Sequence, residues 1–236
     1  ERLQRLHPMN KNIILTWKND DVPSYVIQKW KNLNPDFNIF FFNDDEIIKF
    51  LTEEYNESYS TFFKDIKFGR YKADFFRYCY LFKYGGYYFD IDIEPILPIR
   101  EIVDDGIEFD PLNNAINYCT VLAMTEKHIF QAVLFSDANN PILKMCIDDM
   151  LYYGSNIGID PPDIPPFDGH PTRCMYDNVL KYTNQKVLNE GVVSGGDQNI
   201  LLGKEIKVDG RIVVRINGKI FGYSRYANYN RANGFN

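Results

Sequence analysis

The stretch Lys72–Ile96, KADFFRYCYLFKYGGYYFDIDIEPI, decides the fold. From about Arg70 to Lys83 the apolar residues Phe75, Phe76, Cys79 and Phe82 recur at helical spacing and share one face. Asp74, Arg77 and Leu81 fall on the opposite face. Lys83 sits in the last turn, and Gly85-Gly86 supply the backbone freedom that a C-terminal cap needs. Tyr87–Ile93 then reads as a strand. Side chains alternate across a strand, so Tyr87, Phe89, Ile91 and Ile93 form an apolar face. Tyr88, Asp90 and Asp92 point the other way, with the two carboxylates about 6.6 Å apart by strand rise. Pro95 and Pro98 stop the strand.

The segments upstream repeat the same grammar. NIILTW (residues 12–17) is a short β-rich run, and Val22-Pro23 opens a helix through Trp30. Asn34-Pro35-Asp36 marks a turn, FNIFFF (37–42) a second strand, and Asn43-Asp44-Asp45 a cap for a helix over Glu46–Leu51. Strand, helix, strand, helix predicts an α/β fold with a central, mostly parallel sheet flanked by helices. No linker or internal repeat breaks the chain, so residues 1–236 read as one domain. Its ligand-binding half spans about 10–100 and a second half spans about 101–236. Downstream, Cys119–Met124 reads as a strand, and Pro141–Tyr153 and Tyr176–Tyr182 as helices. Ile212–Ile216 and Lys219–Phe221 form a hairpin around Asn217-Gly218. DPPDIPPFDGHP (160–171) is too rich in proline for helix or strand and reads as a long ordered loop. The tail, Tyr223 to Asn236, either frays or closes over a site.

Composition narrows the function. The chain has 236 residues, 45% hydrophobic and 25% charged, enough for one sizeable core. Its net charge of −6 argues against a nucleic-acid partner and poses a problem for any anionic ligand, which a bound cation would solve. Its 17 Tyr and 18 Phe fit a wet aromatic groove as well as a Phe- and Tyr-rich core. None of Cys79, Cys119, Cys146 and Cys174 has C-x-x-C spacing, which disfavours zinc, and nothing demands disulfides. A reducing, cytoplasmic setting is therefore expected. A trimmed lumenal domain of a membrane protein is the alternative. No apolar run reaches the length of a membrane span, and the charged opening Glu1, Arg2 and Arg5 is unlike a signal peptide.

Asp90 and Asp92 stand where open α/β sheets bind ligands, at a strand's end. Hard carboxylate oxygens suit Mn²⁺ or Mg²⁺. A cation there neutralises charge growing on a diphosphate leaving group, as when a nucleotide-sugar gives up its sugar. A bare D-x-D also fits two solvated turn aspartates; the apolar opposite face argues against that. Asp74 and Arg77, at (i, i+3), fit either a surface ion pair or a ligand contact beside the D-x-D strand. Trp17 leaves two readings open, base stacking and core packing.

Together these blocks resemble glycosyltransferase family 32, the DXD group of initiating mannosyltransferases and α-1,4-galactosyltransferases, and are similar to blocks in the clostridial glucosylating toxins. NIILTWKNDDVP, WKNLNPDFNIFFFNDDEI and KADFFRYCYLFKYGGYYFDIDIEPI carry the resemblance over roughly the first hundred residues. It implies a GT-A fold, a Mn²⁺- or Mg²⁺-bound UDP- or GDP-sugar, and retaining transfer to a hydroxyl of a glycan, glycolipid or glycoprotein. Asp90 and Asp92 become metal ligands, with Asp90 also touching the donor. Thr16, Trp17, Asp74, Arg77 and Tyr88 become donor contacts, Trp17 by stacking on the base. The resemblance also leads one to expect a T-G-P segment and a late metal-binding His. The nearest match is Asp168-Gly169-His170-Pro171, and no His follows His170, so the sequence names no third metal ligand. Asp197-Gln198-Asn199-Ile200-Leu201 resembles the D-Q-D-I-L segment of retaining family 8 enzymes, which makes Asp197 and Gln198 catalytic candidates. His170 reads as a groove residue, and Glu94 shares the D-x-D face unless the chain turns at Pro95. Two rivals remain. A haloacid-dehalogenase-like phosphatase also ends a strand in D-x-D, but its motif lies near the N-terminus and continues with Thr or Val, whereas Ile93-Glu94-Pro95 follow here. An inactive, transferase-like sugar- or nucleotide-binding module is the other, and donor hydrolysis without acceptor discriminates against it.

Overall fold

The computed structural model describes residues 11–103, 116–154, 170–230 and 234–235. The proline-rich loop at 160–169 and the charged N-terminal residues lie outside them. The first half runs β1 (Asn12–Thr16), α1 (Ser24–Leu33), β2 (Asn38–Phe42), α2 (Asp44–Glu54), α3 (Glu57–Asp65), α4 (Gly69–Tyr84), β3 (Gly86–Asp90), β4 (Glu94–Pro95) and α5 (Arg100–Val103). The second half runs β5 (Tyr118–Leu122), β6 (Ile129–Ser136), α6 (Pro141–Tyr153), α7 (Pro171–Thr183), β7 (Gly191–Gly195), β8 (Gln198–Val208), β9 (Arg211–Ile216), β10 (Lys219–Tyr223), β11 (Tyr229–Asn230) and β12 (Gly234–Phe235).

A ten-stranded sheet in the order β2-β1-β3-β6-β5-β8-β9-β10-β4 organises the chain, with β7 added on β8. The α/β class with flanking helices is as expected. The parallel pairs are β1 with β2, β1 with β3, and β5 with β8. Strand β6 joins β3 to β5 antiparallel, and the meander β8-β9-β10-β4 is antiparallel throughout. Hairpin turns need only a few residues, whereas parallel pairs need a crossover, so short connections after β8 dictate that switch.

The period-two pattern separates two apolar layers. Ile14 and Tyr88 face a cluster supplied by α2, α3, α4, α6 and α7. Ile13, Leu15, Tyr87 and Phe89 face the other cluster, with Trp30 of α1 and Phe221 of β10. The Trp30 ring lies 4.2 Å from Phe89, and Phe221 stacks on Phe89 at 5.4 Å. Each such buried side chain stabilises the fold by about 1.5–3 kcal/mol.

Two expectations change at the deciding stretch. Helix α4 is buried on nearly every side from Asp74 to Leu81, including the face assigned to Asp74, Arg77 and Leu81. It packs against α2, α3 and α6 as well as the sheet, so it has no solvent face there. Strand β3 ends at Asp90, not Ile93. Ile91-Asp92 is a turn, closed by Ile93 N–H donating to the Asp90 carbonyl at 3.0 Å. Between α4 and β3, Gly85 has φ +67°, and a Cβ there would lie 2.8 Å from the Ser136 carbonyl oxygen. Only glycine fits both the left-handed backbone and that approach.

Candidate active site

The site is built on the α4–β3 unit. The Gly85-Gly86 corner folds α4 back over β3 and sets Arg77 beside Asp90. The Arg77 guanidinium donates to Asp90 Oδ1 at 3.0 Å and lies 3.2 Å from Asp74 Oδ1. It also donates to the main-chain oxygens of Ala73, at 3.1 Å, and Gln131. Its planar face covers the Tyr88 ring at 4.4 Å. With 3% of its side chain exposed, Arg77 is not half of a surface ion pair. Burial works against its charge, but Asp90, Tyr88 and Asp74 outweigh that and raise its pKa. Burial pushes the Asp74 carboxyl up to about 7 although Arg77 opposes it. The two shifts point apart for one ion pair. The charged state of Arg77 is the firmer assignment, because Asp90 shares the guanidinium and leaves buried Asp74 only partly compensated.

Tyr88 Oη donates to Asp90 Oδ1 at 2.9 Å and lies 2.9 Å from Thr16 Oγ1. A phenol has one proton, so with Asp90 as its acceptor the Thr16 hydroxyl donates to Tyr88. Thr16 stands opposite Asp90 in the parallel β1–β3 register. The relay Thr16 to Tyr88 to Asp90, with Arg77 on the same oxygen, fixes the carboxylate in position. Both bonds fall on Oδ1, and a third of the Asp90 side chain is exposed. Asp92 follows on the turn, its carbonyl bonded by Tyr226 N–H at 3.0 Å. Among the described residues no group of three or more His, Cys, Asp or Glu forms a metal cage. Two hard carboxylates at a cleft fit a Mn²⁺ or Mg²⁺ ion that completes its shell with water and phosphate oxygens.

Asp90, Asp92, Asp74, Arg77, Thr16 and Trp17 all line one cleft of about 920 Å³. Trp17 is half-buried and also lines a neighbouring pocket of about 230 Å³ with Lys18, Pro23 and Phe235. The tail folds over this end. Tyr229 meets the indole edge-on at 6.2 Å, and a Cβ on Gly234 would lie 3.2 Å from it. Glu94 is turned away from the cleft: it pairs with Lys29 at 2.8 Å and Arg211 at 3.2 Å, and β4 pairs with β10.

Residues 20–109, the segment holding Asp74, Arg77, Asp90 and Asp92, match the family model described as a glycosyltransferase sugar-binding region containing a DXD motif. That segment, less than half of the chain, is thus similar to the DXD-containing glycosyltransferases. The mannosyl phosphorylinositol ceramide synthase of Saccharomyces cerevisiae is 35% identical over 85 residues, covering 35% of this chain and 22% of that protein. Inositol phosphoceramide mannosyltransferase 1 of Schizosaccharomyces pombe is 30% identical over 129 residues, 50% of this chain and 39% of its own length. The initiation-specific alpha-1,6-mannosyltransferase of Candida albicans is 31% identical over 112 residues, 42% and 28% of the two chains. The matches thus span well under half of these relatives. Among solved structures, the PaToxG glycosyltransferase superposes with a TM-score of 0.51 at 14% identity, covering 73% of this chain and 69% of that one, a likeness of fold.

The DXD cleft does not include Asp197 and Gln198. Strand β8 runs parallel to β5, and Ile200, two residues after its start, lies on the row that crosses the sheet through Tyr118 and Ser136 to Gly86. Gln198 therefore sits about six residues of strand rise, roughly 20 Å, from the Asp90 end. There Gln198 accepts from Asn140 Nδ2 at 2.7 Å, and Asp197 accepts from Tyr182 Oη at 2.6 Å. The structure does not bring these two residues to the acidic pair: the peptide match specifies a β7–β8 turn, not a position on the sheet. His170 does reach the cleft, as expected. Sequence reasoning missed its companions His128, Arg70 and Gln131. Arg70 alone carried a signal, standing two turns before Arg77 on a recognisable helix.

Proposed function

We propose that this chain is a metal-dependent, retaining glycosyltransferase that moves a sugar from a UDP- or GDP-sugar to a hydroxyl of a glycan, glycolipid or glycoprotein. The observation that carries the reading is the buried Arg77 clamp, which presents Asp90 to the cleft beside Asp92. Mannose is the sugar that the relatives' names carry, so mannose-bearing donors come first in any screen. Residues of about 10–100 bind the donor, and the remainder shapes the acceptor side.

Asp90 and Asp92 would hold a divalent cation, which when bound would supply positive charge against the departing diphosphate. Thr16, Tyr88 and Arg77 hold Asp90 in one orientation, so little reorganisation accompanies bond cleavage. Arg77 keeps its charge beside the cleft and adds to the field on the leaving group. Asp74, at the wall of the same cleft, is placed for a sugar or ribose hydroxyl. Trp17 offers its face to the nucleobase under the tail. The acceptor enters from the side of the cleft opposite Trp17, and attack from the leaving-group face retains the anomeric configuration.

A thermal-shift screen of UDP- and GDP-sugars, with and without Mn²⁺, tests this reading. Stabilisation should require metal and nucleotide together. Asp90→Asn and Asp92→Asn should each abolish turnover and the metal-dependent shift. Near-full activity in either variant at saturating donor sinks the proposal. Release of nucleotide from donor without acceptor separates a transferase from a binding module.

A further inference from the structure

The sheet leaves one edge open. Strand β2 ends the sheet order, with β1 on its inner side only. Asn38 N–H donates to the Lys11 carbonyl at 2.8 Å, and Trp17 N–H donates to the Phe42 carbonyl at 3.2 Å. Alternate residues of a parallel strand bond the same neighbour, so Asn38, Phe40 and Phe42 turn their main-chain groups to β1. Ile39 and Phe41 therefore each aim an N–H and a C=O away from the sheet, on the side where no described strand pairs with β2. Phe40, between them, is 40% exposed. Its face of the strand continues through Phe42, whose ring packs on Phe50 at 6.5 Å and Tyr80 at 5.5 Å.

Exposed edges are ordinarily guarded: a lysine, a proline or a bulge on the edge strand keeps other chains from pairing with it. The run Phe37–Asn43, FNIFFFN, holds no charge and no proline, and β1 pairs with β2 in unbroken register. An uncharged, β-prone run of this length pairs readily with any strand it meets, so the edge calls for a cover. The charges at its two ends select the cover. At the start of β2, Lys11 pairs with Asp36 at 2.7 Å. At its end, α2 opens with Asp44, Asp45 and Glu46. Two copies laid side by side in the same direction would set acid on acid. Turned end for end, each copy sets its Lys11 end against the acidic turn of the other, which is the favourable arrangement. Antiparallel pairing about Phe40 is also the register in which the hydrogen bonds close. Ile39 falls opposite Phe41 of the second copy, and Phe41 opposite its Ile39, as hydrogen-bonded pairs that use every outward N–H and C=O. Phe40 falls opposite itself as a non-hydrogen-bonded pair, with Cα atoms about 4.5 Å apart, where side chains pack closest.

We propose that β2 is a homodimer interface: two copies of this chain pair their β2 strands antiparallel about Phe40 and join their sheets into one. The same strand then serves both sides of a two-fold axis, as a closed dimer requires. Each cleft opens at the C-terminal ends of β1 and β2, where Thr16, Trp17 and Asp44 line it. The antiparallel arrangement puts the two clefts at opposite ends of the joint, so neither covers the other. The inference concerns a surface outside the DXD site and does not depend on the transfer reading.

Light scattering of the intact chain over a dilution series tests it. The wild-type chain should run at twice its monomer mass and dissociate on dilution. Phe40→Lys and Phe40→Glu should each weaken the dimer by about tenfold or more, because the aromatic pair is lost and like charges stand opposite. An equimolar mixture of the two variants should recover a dimer, since unlike charges then face each other, which unfolded variants would not do. Oxidised by diamide, Phe40→Cys should form a disulfide-linked dimer. Asn38→Cys, roughly 13 Å along the strands from its own equivalent in this register, should not. The wild-type chain, whose cysteines are buried or half-buried, serves as the control. A wild-type chain that is monomeric throughout the series overturns the proposal and leaves the edge to a strand of another protein. So does a dimer that Phe40→Lys leaves intact, a mixture that stays monomeric, or linkage as fast through Asn38→Cys as through Phe40→Cys.

Discussion

Arg77 bonds two carboxylates and two main-chain oxygens at once, so no other side chain can replace it. Lysine has the charge but not the planar fork. Arg77→Lys should therefore lower both donor affinity and stability. Losing a buried pair costs about 3–5 kcal/mol, and each kcal/mol is worth roughly 2–4 °C at this chain length. A melting temperature within a degree or so of wild type would show that the clamp is not structural. Asp74 gives a pH signature. Its folded pKa, about 7, is raised above the ordinary 3.8 by burial, so the folded state binds the proton more tightly than the unfolded state. That contribution is fully present below about pH 4 and is lost as pH rises through about 7. Asp74→Asn should flatten this decline, which melts recorded across that window will reveal. Trp30 is fully buried, so a bound base should change only the Trp17 emission. Nucleotide quenching that survives in Trp17→Phe would exclude the indole from base stacking. At this scale the sequence was partly legible. Alternation put Tyr88 and Asp90 on one face, but spacing alone allowed Asp74–Arg77 to be either surface pair or buried clamp. The contacts that decide it, Gln131 and Asp90, lie 54 and 13 residues away from Arg77.

Among the elements, those with strong local chemistry matched their predicted places. Asn43 and Glu46 form a complete capping box at α2, and α6 spans Pro141–Tyr153 as its pattern indicated. Helix α3 and strands β6, β7 and β8 were not anticipated. Strand β6 is buried along nearly all its length, so it lacks alternation, and its N-terminal flank, Thr125–His128, holds no Gly, Pro, Asn or Asp to mark a start. The β3 boundary was missed because Ile91 and Ile93 keep the strand's period while the backbone already turns. The corner before β3 gives an element-scale prediction. Gly85→Ala adds a Cβ against the Ser136 carbonyl at a left-handed φ, and such strain costs about 1–3 kcal/mol. The variant should melt several degrees lower, and its activity should fall further than its stability because α4 would shift against β3. An unchanged melting temperature counts against the corner as the hinge of the site.

Across the whole molecule, the sheet returns on itself. The last long strand, β10, pairs with β4 immediately after the DXD turn, and Tyr226 N–H bonds Asp92 from the tail. Glu94 ties α1 and β9 to the same point through Lys29 and Arg211. Sequence patterns are local, and this closure joins residues more than a hundred positions apart. The reading of a free or closing tail therefore stayed open until three dimensions settled that it covers Trp17. Among the described residues no helix is long and apolar enough to cross a membrane.

That return stroke has a consequence for biosynthesis. While the chain emerges from the ribosome, residues 20–109 can present every acid of the motif, yet the brace on the Asp92 turn arrives only with residues 221–226. A fragment stopping near 109 would carry the signature without the means to hold it still, and pairings of such long sequence separation form slowly. The Asp92 turn would thus be braced only after residue 226 has emerged.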